Sequence, residues 1–318
     1  MILSLCMMVK DEQKGIGRAI KSALPLIDEC VISIDETTTD NTQEEIEKVC
    51  HDAKIFIHKW TDDFSRNRNQ VLEKCSGDYI LVLDGDEVIE DGINRLLELK
   101  KENFKDREIL RSTVTHINND GIHLTSLQNG RLFKSHIRYQ HRVHETLNYT
   151  GDNVEFVPEF KIYNYGAEGN EDKSKYYCEL TRLEYEENPD DLRALFQLAH
   201  LYMGLRDYKK AAECFEIFLE KSDFKPAIYQ AKVKLAQCYH YFGRRLECEY
   251  LLRGSEMDNI DKRNLHYVVL GEYFMRNEVK DEARRWFQKA IDTPKPVNYY
   301  FLYPENYYKT PLAMMGRL

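Results

Sequence analysis

The chain has 318 residues, a formal net charge of −9, and 42% hydrophobic and 31% charged residues. This composition is typical of a folded globular protein and excludes a largely disordered or fibrous chain. The excess of acidic residues disfavours nucleic-acid binding through a broad basic surface. Its length is sufficient for about two domains, each with a core of its own.

Neither the cysteines nor the apolar runs indicate export or a membrane. Eight cysteines are scattered without a metal-binding spacing. The runs at 5–9 and 79–83 are far shorter than the ~20 apolar residues that span a bilayer. The N-terminus lacks the basic segment and cleavage site of a signal peptide. We therefore expect a cytoplasmic protein with reduced cysteines and no transmembrane segment.

The first half of the chain alternates short apolar runs with amphipathic segments. This alternation predicts βαβ units and a largely parallel sheet. Between 109 and 165 the segments become short and β-like, and we expect antiparallel strands that complete the same domain. The pattern predicts strands at 2–9, 29–34, 54–58 and 79–83, and helices at 14–26, 41–50, 65–75 and 92–99.

From residue 172 onward the sequence predicts helices only. A helix over 172–187 ends at Asn188-Pro189. Three later segments share two small residues at a spacing of 12, and small residues let the two helices of a hairpin cross closely. The pattern resembles tetratricopeptide repeats, whose usual length is ~34 residues. The pairs are Ala199 and Ala211, Ala236 and Cys248, and Gly271 and Ala283.

These sequence patterns predict three regions. Residues 1–168 form an α/β domain with a mixed sheet, and residues 169–296 form an all-α domain of tetratricopeptide-like repeats. Residues 297–318 form a tail rich in tyrosine, which we expect to cap the last repeat rather than to bind a ligand.

A pair of carboxylates follows the apolar run at 79–83. Asp84 and Asp86 flank Gly85, and side chains two apart on an extended chain point the same way. Glycine lets a ligand or metal approach the backbone, and Mn²⁺ and Mg²⁺ prefer carboxylate oxygens. From the residues alone, two interpretations stay open. The turn is a metal site at the carboxyl edge of the sheet, or a polar turn in which Asp91 caps the next helix.

Five segments, in order along the chain, resemble motifs of glycosyltransferase family 2, and in particular of members that carry a tetratricopeptide tail. The resemblance covers nearly the whole chain. It implies a Rossmann-like GT-A domain that transfers a sugar from a nucleotide-diphosphate sugar with inversion. The segments are LSLCMMVKDE at 3–12, VISIDETTTDNT at 31–42, DDFSRNRN at 62–69, LDGDE at 83–87 and GRLFKSHIRYQHRVHE at 130–145.

The resemblance also implies a role for each matching residue on the nucleotide side. Val9, Glu12 and Asp35 would hold the nucleoside, and Asp35 would accept a hydrogen bond from a uracil imide, which favours UDP. Arg68 would approach the donor diphosphate or sugar. This chain has Glu36-Thr37 where the family usually has Thr-Gly, which alters the fit of the nucleoside.

The D-x-D turn would hold the cation, Mn²⁺ or Mg²⁺. The resemblance implies that Asp84 faces the ribose and the metal and that Asp86 coordinates the metal between the two phosphates. An inverting enzyme also needs a base for the acceptor. Either His144 is a third metal ligand and Glu145 is the base, or His144 is the base. Arg131 is a second phosphate-side cation or part of a structural ion pair.

The leading hypothesis is therefore a metal-dependent glycosyltransferase whose acceptor is a hydroxyl or thiol on a glycan, a peptide or a modified base. The repeats would guide that acceptor, bind a protein partner or form a homo-oligomer. The alternative is a repeat scaffold that binds a protein and carries an inactive glycosyltransferase-like domain. Intact Arg68, Asp84 and Asp86 favour the enzyme.

Overall fold

A computed structural model of the chain describes residues 1–118, 120–166, 171–255, 264–294 and 309–318. The chain divides into two units, Met1–Glu168 and Gly169–Leu318. The first unit contains a mixed sheet with helices, and the described part of the second contains helices alone. The predicted fold class, an α/β domain followed by an all-α repeat region, is confirmed.

Four parallel strands build one half of the sheet, in the order β3-β2-β1-β4. Because strand addition reverses direction at β1, the carboxyl ends of β1 and β4 form a switch point, where open α/β sheets bind ligands. The strands are β1 (Leu3–Val9), β2 (Glu29–Asp35), β3 (Lys54–His58) and β4 (Tyr79–Val82), and the connecting helices are α1 (Ile16–Ala23), α2 (Thr42–Val49) and α3 (Phe64–Leu72).

The other half of the sheet continues from β4 in the order β7-β6-β10-β5. Strand β7 runs antiparallel to both β4 and β6, and β8 pairs with β9 in a small separate ladder. The elements are β5 (Glu87–Asp91), α4 (Ile93–Lys101), β6 (Ile109–Ile117), β7 (His123–Lys134), β8 (Tyr139–Gln140), β9 (Thr146–Leu147) and β10 (Val154–Asn164).

This half differs from the prediction in two places. The strands after residue 109 are not all antiparallel, since β10 runs parallel to β6 and antiparallel only to β5. Residues 87–91 form a strand because Ile89 pairs with Ile162, a partner that local pattern does not reveal. The cap position of α4 is Gly92, at a φ of 92°, rather than Asp91.

The described part of the second unit consists of helical hairpins, as predicted. The small residues of the predicted pairs lie at the crossings: Ala199, Ala211, Ala236, Cys248 and Ala283 are fully buried. A Cβ at Gly271 would lie 2.4 Å from the ring of Phe287, so this crossing requires glycine. The helices are α5 (Glu171–Glu187), α6 (Leu192–Gly204), α7 (Tyr208–Lys221), α8 (Lys225–Tyr241), α9 (Arg245–Gly254), α10 (Leu265–Arg276), α11 (Lys280–Asp292) and α12 (Lys309–Met315).

Three expectations concern the tail, the membrane and the cysteines. Of the predicted aromatic tail, residues 297–308 lie outside the described residues. Across the described ranges, no helix is both long enough and apolar enough to cross a bilayer. All eight cysteines, each within those ranges, are free thiols.

Candidate active site

Arg68 connects two of the predicted site residues directly. Its Nη2 donates to Oδ1 of Asp84 at 2.7 Å, and its Nε donates to Oε1 of Glu145 at 2.6 Å. The side chains of Arg68 and Glu145 are only 11% and 15% exposed. Three motifs far apart in the sequence therefore meet at the carboxyl end of β4.

The position of Arg68 depends on how α3 begins. Asp63 is the N-cap, and its carboxylate accepts from the backbone N of Arg66 at 2.9 Å and from Oγ of Ser65 at 2.8 Å. The helix begins at Phe64, one residue before the start at Ser65 that the sequence predicts. An aspartate at the N-cap satisfies backbone N–H groups of the first turn and fixes the helix that carries Arg68.

A second arginine lies on the other side of Asp84. Nη2 of Arg131 is 3.4 Å from Oδ2 of Asp84 and donates a short hydrogen bond to Glu87. The other oxygen of Glu87 accepts from the backbone N of Asp84 at 3.1 Å. Glu87 is 1% exposed. Of the two roles considered for Arg131, the structure shows the ion pair.

We call Arg68, Arg131, Asp84, Glu87 and Glu145 the charged network. Burial alone would raise the pKa of Asp84, but the two arginines outweigh it and hold that pKa well below its usual value. Burial raises the pKa of Glu87 to about 7; Arg131 opposes this rise, and nearby Asp84 adds to it. The network thus holds three acids against two permanent cations, and its most buried acid titrates near neutrality.

Asp86 is held by residues that the sequence analysis missed. Its Oδ1 accepts from Nδ2 of Asn164 at 2.9 Å, and its backbone carbonyl accepts from N of Tyr165 at 3.0 Å. A Cβ on Gly166 would lie 1.8 Å from Oδ2 of Asp86, so a larger residue there would displace this carboxylate. The pairing of Asn164 with Glu87 in the sheet brings these residues together, and no local signal marks it.

The loop after β1 closes over the carboxylate turn. A Cβ at Gly85 would lie 2.5 Å from Cγ of Glu12, and a Cβ at Gly15 would lie 2.7 Å from the carbonyl oxygen of Gly85. The space beside Gly85 is therefore filled by the Glu12 side chain, whereas the sequence analysis reserved it for a ligand. The side chain of Val9 lies in the core, at 3% exposure. Only the backbone of Val9 is therefore available to contact a ligand at this edge of the sheet.

His144 differs from Glu145 in exposure and backbone geometry. Its side chain is exposed, and its φ of 52° lies in the left-handed region. The ligand atoms of Asp84, Asp86 and His144 do not lie within 4.8 Å of one another. The metal ligand set of these three residues stays a prediction.

Asp35 ends β2 and is the register partner of His58, which ends β3. Its Oδ1 accepts from N and Oγ1 of Thr37 at 2.8 and 2.5 Å, so the residue that replaces the usual glycine holds the carboxylate. Its Oδ2 lies 4.0 Å from Nε2 of His58. Burial would raise the pKa of Asp35, but the bonds from Thr37 lower it below its usual value.

Residues 4–158 match the family model described as Glycosyl transferase family 2. The chain is 32% identical over 148 residues to a TPR repeat-containing protein of Synechococcus elongatus, an alignment that covers 46% of this chain and 35% of that protein. It is 25% identical over 264 residues to the SPbeta prophage-derived glycosyltransferase SunS of Bacillus subtilis, with coverage of 76% and 61%.

Among solved structures, the fold is similar to that of S. aureus TarS 1-349 in complex with UDP-GlcNAc, with a TM-score of 0.42, 14% identity and coverage of 90% of each chain. The chain spans less than two thirds of the length of either curated relative. The family match takes in nearly all of the first unit, including Asp35, Arg68, Asp84, Asp86 and Glu145. Over residues 4–158, the first unit of this chain therefore matches a glycosyltransferase family 2 domain.

Proposed function

We propose that the chain is a metal-dependent inverting glycosyltransferase that moves a sugar from a UDP-sugar to a hydroxyl or thiol acceptor. The observation that carries this proposal is the contact of Arg68 with Asp84 and Glu145 at the switch point of the sheet. The family of the first unit supports the same reaction class. So does the relative SunS, which is named a glycosyltransferase.

Arg68 is proposed to bind the donor diphosphate. A guanidinium has five N–H donors. Among the described residues, Arg68 donates one hydrogen bond to Asp84 and one to Glu145. Three donors remain for phosphate oxygens, which a guanidinium binds in a planar, paired geometry. Burial disfavours the cation, but Asp84 and Glu145 raise the pKa of Arg68 and keep it charged.

A divalent cation fits Asp86 better than Asp84. Asn164 orients one oxygen of Asp86, and the Gly166 backbone lies against the other, whereas both oxygens of Asp84 already face arginines. We therefore propose Asp86 as the principal ligand of Mn²⁺ or Mg²⁺, with Asp84 and His144 as its partners. When bound, the cation would stabilise negative charge on the departing diphosphate.

Glu145 is proposed as the base. The acceptor oxygen or sulfur attacks the anomeric carbon as the bond from that carbon to the diphosphate oxygen breaks, and the acceptor proton passes to the base. Nε of Arg68 holds Oε1 of Glu145, so Oε2 is the oxygen proposed to take the proton. His144, next in the chain and exposed, is the alternative base.

Release of UDP from a panel of UDP-sugars, with and without Mn²⁺, tests the proposal. We expect Asp86→Asn to lower turnover ~100-fold or more, because a ligand of the cation is lost. Asp52→Asn, an exposed change in the same unit, should leave turnover unchanged. Unchanged turnover in Asp86→Asn would contradict the role of Asp86 as a ligand of the cation. A wild-type chain that releases no nucleotide from any donor would favour the scaffold hypothesis.

A further inference from the structure

Two buried polar atoms beside Asp35 lack a hydrogen-bond partner within the part of the chain that the structure describes. They are Nε2 of His58 and Oγ1 of Thr38. Thr38 belongs to the turn after β2, where its backbone N donates to the carbonyl of Asp35 at 3.0 Å. Buried polar atoms in folded proteins are nearly always paired. The unpaired Nε2 of His58, 4.0 Å from the buried carboxylate of Asp35, therefore indicates a polar ligand.

The imidazole of His58 is held in a defined orientation. Its Nδ1 lies 2.7 Å from Oγ of Ser33, and its backbone carbonyl accepts from N of Glu36 at 2.9 Å. The side chains of His58 and Asp35 are 8% and 6% exposed. The 4.0 Å between Nε2 and Oδ2 of Asp35 is too long for a hydrogen bond, so the two atoms lie side by side without satisfying each other.

The protonation states follow from the surroundings. Burial lowers the pKa of His58, against the opposing effects of Asp35 and the Ile34 carbonyl. The ring is therefore neutral at pH 7, with one N–H donor. The negative charge of Asp35 favours the tautomer with the proton on Nε2, and the hydroxyl of Ser33 then donates to Nδ1. The pair presents one donor, Nε2–H, next to one acceptor, Oδ2.

We propose that His58 is a specificity-determining residue that reads the base of the donor nucleotide together with Asp35. This inference rests on the proposed function. Uracil presents an imide N3–H next to the O4 carbonyl. Asp35 would accept from N3–H, and Nε2 of His58 would donate to O4. Cytosine presents the reverse pattern, an unprotonated N3 next to an amino group, so both contacts would oppose it. His58 thus selects uridine over cytidine.

Calorimetric titration of the full chain with UDP and CDP, both in Mn²⁺, tests this role. Two variants separate the effect of the hydrogen-bond donor from that of side-chain size. His58→Met keeps the size and removes the hydrogen-bond donor, and His58→Gln keeps an N–H donor. We expect His58→Met to lose ~10-fold in UDP affinity with little change for CDP. His58→Gln should retain most of the preference. His51→Met, at an exposed histidine of the same unit, is the matched control.

The outcomes distinguish this inference from the function on which it rests. An equal loss for UDP and CDP in His58→Met, or an unchanged ratio of the two affinities, would overturn the role of His58. If the wild-type chain still releases UDP from a UDP-sugar in that case, the proposed function stands. A wild-type chain that binds neither nucleotide in Mn²⁺ would overturn both. Thermal unfolding of each variant without nucleotide establishes that it folds.

Discussion

The charged network and a second polar group, Asp35 with His58, which we call the Asp35 pocket, lie at the same edge of one sheet and are built in different ways. In the network, every acid touches an arginine, with bonds of 2.6 and 2.7 Å around Arg68. In the pocket, Asp35 and His58 are 4.0 Å apart, and Nε2 of His58 is unpaired among the described residues. The ion pairs of the network form without a ligand, although Nε of Arg131 has no partner in the described part of the chain. Nε2 of the neutral His58 ring forms no ion pair or hydrogen bond there, so a ligand would be its first partner.

This difference indicates two kinds of recognition. Charges fixed before a ligand arrives stabilise a transition state without reorganisation. Polar atoms that have no partner before a ligand binds discriminate between nucleobases. A nucleobase with the wrong hydrogen-bonding pattern leaves these atoms unpaired. Changes in the network should therefore reduce rate, and changes in the pocket should reduce selectivity.

The largest effect should come from the proposed base. We expect Glu145→Gln to lower the rate of UDP release, with water as acceptor, by ~10²–10⁴-fold, because the glutamine still accepts from Arg68 but cannot take a proton. His144→Asn serves as comparison: it removes a proposed ligand of the cation, so high Mn²⁺ should restore its rate, whereas high Mn²⁺ should not restore Glu145→Gln. A large loss in His144→Asn that high Mn²⁺ does not restore, with little loss in Glu145→Gln, would make His144 the base.

Arg68→Lys should have the next largest effect, a fall in kcat/KM of ~100-fold. A lysine keeps the positive charge but cannot contact Asp84, Glu145 and a phosphate in the planar geometry of a guanidinium. Arg66→Lys, on the exposed side of the same helix, is the matched control. Equal kinetics in the two variants would remove Arg68 from the donor site.

A smaller effect concerns stability. The pKa of Glu87 is raised from 4.5 to about 7, so between these values the folded state holds more protons than the unfolded state, and stability falls as the pH rises. Glu87→Gln removes this dependence. We expect its unfolding free energy, relative to wild type, to rise by about 1–3 kcal/mol between pH 4.5 and pH 7.

Denaturant unfolding at several pH values measures the effect of Glu87→Gln. Glu73→Gln, at an exposed glutamate just after α3, should keep the pH dependence of the wild type. If Glu87→Gln and Glu73→Gln respond to pH alike, Glu87 is ionised in the folded state throughout this range.

The smallest expected effect is on cation affinity. Gly166→Ala would place a Cβ against Oδ2 of Asp86 and displace that carboxylate from its position beside Asn164. We expect the Mn²⁺ concentration that gives half-maximal UDP release to rise ~10-fold. High Mn²⁺ should restore full turnover. Gly204→Ala, which meets nothing within 4 Å and, like Gly166, has no positive φ, is a control. Loss that Mn²⁺ does not restore would contradict the role of Gly166.

The sequence predicts features whose cause is local. The apolar runs of β1 and β4 predict buried strands because both faces of a parallel sheet are covered. The small residues 12 apart predict the helix crossings, since Gly271 and Ala283 leave room for the neighbouring helix. Arg68 and Asp84 are identified through motifs that resemble a known family.

Features set by distant pairing escape such prediction. Asn164 and Gly166 reach Asp86 only because β10 pairs with β5, and neither has a local signal. The role of Gly85 is misjudged for the same reason, since Glu12 arrives from another loop. His58 has a signal that the sequence analysis does not use, because it ends β3 next to the strand that ends in Asp35.

The late position of β10 has a consequence for how the protein matures on the ribosome. The parallel core of the sheet uses strands that all lie before residue 83, so it is assembled from neighbouring segments. The carboxylate of Asp86 gains its Asn164 contact only after the chain has grown by a further 78 residues. A nascent or truncated chain that ends before β10 therefore contains all four strands of the parallel core but lacks the Asn164 contact to Asp86, the residue proposed to bind the cation.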